Sequence, residues 1–147
     1  MAAAPLRLLP VLVATALTLS ACGQTAKDSA GDFQGEQKAV AQAVEDLQSA
    51  SSKGDRDKIC DELLAPALAN KIKARDTAKA PSCANALKDS LRDADSYELQ
   101  VKKVAISGST ATATVESDAG GDAKQTDTLT LTKSGAAWKV SALGRAS

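Results

Sequence analysis

The 147-residue chain contains no histidine. That absence excludes Ser-His-Asp and Cys-His nucleophile arrangements, both of which need an imidazole base. Aromatic side chains are nearly missing too, with Phe33, Tyr97 and Trp138 the only three. Large aliphatic residues are modest in number and alanine fills much of the apolar fraction. The core is therefore expected to be small and Ala-lined, and to need a covalent cross-link. No Ser-x-x-Lys signature occurs, and no Gly-rich loop ending in Lys-Ser or Lys-Thr, so those routes to acyl transfer and nucleotide binding are closed. Eighteen basic and eighteen acidic residues give a formal net charge of zero. A nucleic-acid binder would carry a clearly basic domain, so no nucleic-acid partner is expected. No cofactor is expected either.

The most informative segment lies at the start. Arg7 is a minimal positive region, and residues 8–19 form an apolar run interrupted by Pro10. The run is shorter than the roughly 20 residues a spanning helix needs. A charged start, a short apolar middle and a small-residue exit describe an export signal that is removed. Leu19, Ser20, Ala21 and Cys22 at the exit resemble the lipobox of bacterial lipoproteins. The resemblance implies that Cys22 becomes the first mature residue and carries a diacylglyceryl thioether. The protein would then sit on the extracytoplasmic face of the cell membrane. Two acyl chains anchor stably where one is marginal, because each buried CH₂ contributes about 0.8 kcal/mol. Removing residues 1–21 leaves one domain's worth of chain.

With Cys22 assigned to lipid, Cys60 and Cys83 remain as an even pair in an exported protein, and a disulfide between them is expected. Without histidine partners, two cysteines do not make a structural zinc site, and no metal is expected. Residues 22–35 are mostly Gly, Ser, Ala, Asp, Lys and Gln, and read as a flexible tether between lipid and domain. The folded domain is expected over residues 36–144.

Within that domain the first half has helical period. Val40, Val44 and Leu47 share a face, and Gly54 is a plausible stop. Asp55 then caps a second helix bearing Ile59, Cys60, Leu63 and Leu64, and Pro66 ends or restarts it. Ser82 caps a third helix in which Cys83, Leu87 and Leu91 recur every four residues, so the disulfide would pin the second helix to the third. After Asp95 the period becomes two. Tyr97, Leu99 and Val101 alternate, Lys102-Lys103 interrupts, and Val104 and Ile106 resume in the other phase, as a β-bulge would require. Ala111, Ala113 and Val115 follow, then Leu129 and Leu131, then Trp138, Val140 and Ala142, with Gly-containing turns between. The expected fold class is α+β: three N-terminal helices packed on one face of a curved four-stranded antiparallel sheet.

This order resembles the nuclear transport factor 2-like superfamily, the curved-sheet cone shared with SnoaL-like enzymes and many exported bacterial lipoproteins. The resemblance rests on the long first helix ending in Lys53-Gly54-Asp55 and on the short helix carrying Cys83. It rests also on the terminal hairpin from Lys133 to Val140, which looks like a Gly-x-x-Trp-Lys ending. It implies a cone-like domain with a sheet face or small apolar cavity for a partner protein or ligand. It also implies, as an alternative, a histidine-independent isomerase or hydrolyase with one carboxylate base.

Several side chains are candidates for chemistry. Asp55, Asp57 and Asp61 suggest a calcium loop, but Cys60 and Pro66 stand where that loop needs Gly and a bidentate Glu. Glu98 or Asp127 would serve as a lone general base if burial raised its pKa. Tyr97 and Trp138 are candidate pocket or core rings. Lys71, Lys73, Arg75 and Lys79 form the one basic cluster. No catalytic residue is assigned, and the expected function is non-catalytic binding or envelope spacing.

Overall fold

The computed structural model describes residues 29–75, 82–88, 98–118 and 124–145. Helix α1 (Gly35–Ser52) is long because Val40, Ala41, Val44 and Ala50 keep one apolar stripe against the sheet. It stops at a Schellman motif. Gly54 takes φ +67°, Gly54 N–H donates to the Ser51 carbonyl at 3.0 Å, and Asp55 N–H donates to the Ala50 carbonyl at 2.9 Å. Only glycine enters that left-handed conformation without steric cost, so the sequence cue at Gly54 has its physical reason.

Asp55 caps the next helical arm, its Oδ1 accepting from Lys58 N–H at 3.2 Å. The arm begins as α2 (Arg56–Lys58) and widens into a π-helix over Ile59–Leu63, closed by Leu64 N–H donating to the Ile59 carbonyl at 2.9 Å. The wider turn lets Ile59, Cys60 and Leu63 all face the core. Leu64 then runs extended beside Val140, and Ala65 N–H donates to the Val140 carbonyl at 2.8 Å. Pro66, which has no N–H to lose, restarts the chain as α3 (Pro66–Arg75). Ser82 caps the short α4 (Cys83–Ala86), its Oγ accepting from Asn85 N–H at 3.3 Å.

The strands β1 (Glu98–Ser107), β2 (Thr110–Asp118), β3 (Lys124–Ser134) and β4 (Ala137–Arg145) form one antiparallel sheet in the order β1-β2-β3-β4. Two-residue turns beginning at Gly108 and Gly135 close the first and last hairpins. The fold is α+β, with helices packed on one face of the four-stranded sheet, as the pattern predicts. The phase slip at Lys102-Lys103 is a bulge: Val101 pairs with Val115 and Lys103 with Thr114, leaving Lys102 extra. Val101 and Val104 are consequently both buried. Ala111, Ala113, Val115, Leu129, Leu131, Trp138 and Val140 complete the inward face.

Two expectations are corrected. Ala142 does not face the core, because a second bulge leaves Ser141 unpaired: Leu131 pairs with Val140 and Thr130 with Ala142. The phase reverses there, Ala142 is exposed, and Leu143 takes the place opposite Leu129. The tether drawn over residues 22–35 is also too long, since the fold includes Ser29 onward. Ser29 is 1% exposed. Its N–H and the Ala30 N–H donate to Glu45 Oε1 at 2.6 and 2.7 Å, its hydroxyl lies 3.0 Å from the same oxygen, and Val101 N–H donates to Ser29 Oγ at 3.1 Å. A short polar residue satisfying an edge-strand N–H beside a bulge has no periodicity, so hydrophobic pattern does not announce it.

Candidate functional site

Two ends of the α1–sheet interface differ in chemistry. At the end where α1 begins, Trp138 is 4% exposed and its indole N–H donates to Glu36 Oε2 at 3.0 Å. The Lys133 ammonium pairs with Glu36 Oε1 and lies 5.8 Å from the Trp138 ring centroid. The hydrogen bond from Lys133 holds the Glu36 carboxyl below its ordinary range; desolvation opposes this, and the Trp138 N–H adds to the lowering. Trp138 is therefore a core ring with its polar edge satisfied, which accounts for it without a ligand. Glu36, the residue that fixes it, lies about a hundred positions away in sequence and carries no local signal.

The other end is where β1 begins and β4 ends. An open pocket of about 360 Å³ lies there, lined by Leu47, Leu99, Val115, Asp127, Leu129 and Leu143, with Gly144 at its edge. Its walls follow from the register. Val115 pairs with Asp127 and Leu129 with Leu143, and directly opposite residues share a face, so all four point the same way. Leu143 is 63% exposed, the one large hydrophobic side chain left exposed among the described residues. Asp127 is the one charged group in this lining among the described residues. Gln125 Nε2 donates to both its carboxylate oxygens at 3.0 Å. Of the two acids considered as bases, the structure brings Asp127 inward and leaves Glu98 exposed at the start of β1.

A second, smaller groove of about 290 Å³ runs between α1, the π-helix and the β3–β4 turn, with Asp46 and Glu62 on its rim. It is more polar and borders the Trp138 lock. Its acids have no third ligand to make a metal centre among the described residues.

The sequence family described as "Domain of unknown function (DUF4878)" matches residues 20–141. The chain belongs to the DUF4878 family. No curated protein and no solved structure matches it.

In this DUF4878 chain, Cys60 and Cys83 form a disulfide with Cα atoms 6.0 Å apart, joining the π-helix to α4 as the cysteine count leads one to expect. Cys60 is buried and Cys83 half-buried. Cys22 and Tyr97 lie outside the described residues, as do Lys79 and Leu91. Lys71, Lys73 and Arg75 are exposed on the C-terminal half of α3, where positive charge suits the helix dipole. Asp55 is committed to its cap. No described helix is long and apolar enough to cross a membrane. Sequence reasoning misses Leu47, Leu99 and Leu143 as pocket walls. The alternation through Leu129 and Leu131 was the available signal for Asp127, since residue 127 is in phase with them. Leu143 was hidden by the bulge at Ser141.

Proposed function

We propose that this DUF4878 protein is a non-catalytic, lipid-anchored domain that binds a small apolar ligand in the pocket between α1 and the ends of β1, β3 and β4. The observation that carries this reading is the pocket itself: among the described residues, an apolar lining with one charged group, left open where the buried core ends. Ligand sites commonly have such a lining, with few polar groups that fix orientation. The likeness to the nuclear transport factor 2-like superfamily supports the same reading, because a sheet-and-helix cone is suited to hold a small molecule.

The anchor reading adds a position. Residues 23–28 separate Cys22 from Ser29, so at most about 25 Å of chain links the acylated sulfur to the fold. Ser29 is bonded to Glu45 and to Val101, and the pocket walls Leu47 and Leu99 stand two positions from each. The pocket mouth therefore lies near the point where the chain leaves for the membrane. An apolar ligand held in the bilayer would have a short path to it.

The neutral probe N-phenyl-1-naphthylamine tests the binding reading. Its fluorescence rises with the wild type, and Leu143→Glu abolishes the rise while leaving the circular dichroism spectrum unchanged. Equal fluorescence with both proteins, or none with either, refutes it. For the anchor, labelled fatty acid enters the wild type and is lost in Cys22→Ala; equal labelling of both rules out the lipoprotein reading.

One observation favours a second reading. An isomerase with a single carboxylate base needs an inward acid contacted by another polar group, and Asp127 with Gln125 has that form. Turnover of a small hydrophobic ketone by the wild type, lost in Asp127→Asn, would establish it and displace the binding-only reading.

A further inference from the structure

The single charge among the described lining residues points to the chemical class of the pocket's ligand. Asp127 stands on the inward face opposite Val115 and two positions from Leu129. The other side chains in its lining are Leu or Val. Its carboxylate accepts from the neutral Gln125 amide, and no ion pair among the described residues engages it. A carboxylate set among aliphatic walls and answered, among the described side chains, by one amide gains from a positive charge brought to it, and repels a negative one. The same walls gain from an alkyl or aryl chain at about 25 cal/mol for each Å² of apolar surface covered.

We propose that the ligand is an amine-bearing amphiphile. Its apolar chain covers Leu47, Leu99, Leu129 and Leu143, and its positively charged nitrogen meets the Asp127 carboxylate. This assignment rests on the binding function proposed above and narrows it. Gln125 serves as a positioning residue, since its amide holds both carboxylate oxygens and so fixes the direction in which Asp127 faces.

Three eight-carbon probes of equal chain length test it: n-octylammonium, 1-octanol and n-octanoate, each titrated calorimetrically into the full chain carrying Cys22→Ala, below micelle-forming concentrations. Octylammonium binds about ten-fold or more tightly than octanoate, as a charge-assisted contact implies, and octanol falls between. Raising the salt concentration narrows the gap. Asp127→Asn brings octylammonium to the level of octanol without lowering octanol itself, which separates loss of the charge from loss of the fold. Arg145 pairs with Asp127 in the β3–β4 register, so Arg145→Ala is the needed control, and it leaves octylammonium affinity within about two-fold. A large rise in that variant would mean that the chain's own arginine already answers Asp127, and would overturn the assignment. Equal affinity for all three probes would keep the apolar pocket and overturn the charge assignment. Binding of none would overturn both.

Discussion

Single side chains in this molecule have separable tasks, and exposure distinguishes them. Leu131 is 0% exposed at the centre of the inward sheet face. Leu131→Ala is expected to cost about 2–5 kcal/mol, because the lost burial and the cavity left behind add. Leu143 has the same chemistry but is 63% exposed. Leu143→Ala is expected to change stability by no more than about 0.5 kcal/mol while weakening ligand binding. Denaturant unfolding of the two variants checks the contrast; a large loss in Leu143→Ala would show that this side chain belongs to the core. Glu36 gives a pH signature. Its folded-state pKa lies below the ordinary value of 4.5, chiefly through Lys133. Its contribution to stability is thus complete above that value and lost as pH falls through the lower folded-state value. Because the group is solvent-exposed, the effect is small and screened by salt. The stability difference between wild type and Glu36→Gln is expected to shrink as thermal melts move below pH 4.5. A constant difference across that range would separate Glu36 from the Trp138 lock. Trp138 was legible in the sequence as a core ring, since a lone indole in an alternating strand has few other places to go. Its partner was not legible, because a contact between the start of α1 and the last hairpin is a product of the tertiary fold.

At the scale of elements, local chemistry was the best guide where it closes hydrogen bonds within a few residues. Gly54, Asp55, Pro66 and Ser82 each stop, cap or restart a helix where the sequence indicates. Interruptions of period show unevenly in the sequence. The bulge at Lys102 shows because apolar residues resume in the opposite phase on both sides. The bulge at Ser141 does not, because Ala142 fits either face and the strand ends before a new phase is established. The π-turn over Ile59–Leu63 was hidden for a like reason: Ile59, Leu63 and Leu64 satisfy ordinary helical spacing. The disulfide closes a loop of sequence separation 23. By the chain-entropy account its removal is expected to cost about 3 kcal/mol. The double variant Cys60→Ala with Cys83→Ala, compared with wild type in urea, checks this; an unchanged midpoint would mean that the cross-link does not constrain the unfolded chain. The Ser29 turn makes a parallel case. Ser29→Ala removes the acceptor of Val101 N–H in a buried setting. The expected loss is about 1–3 kcal/mol. A thermal melt indistinguishable from wild type would place the start of the fold after this turn.

Among the described residues the molecule is a small core, closed at one end and open at the other. Trp138, Glu36 and Lys133 close the end where α1 begins. Leu47, Leu99, Leu129 and Leu143 leave the opposite end apolar and accessible, beside the turn from which the chain runs back toward Cys22. Fold class was legible from the change of period, three to four residues before position 95 and two after it. The pocket was not, because it depends on the tertiary placement of Leu47 of α1 over the strand ends and on a phase reversal at the last strand. The proposed function requires that this open end accept an apolar ligand and that the closed end accept none. The direct measurement is a methyl-resolved NMR titration of the Cys22→Ala chain with 1-octanol. Binding at the open end predicts concentration-dependent shifts in the methyls of Leu47, Leu99, Leu129 and Leu143, with those of Leu63, beside Trp138, unmoved. Shifts confined to the closed end, or no shifts at concentrations approaching octanol's solubility limit, would contradict it.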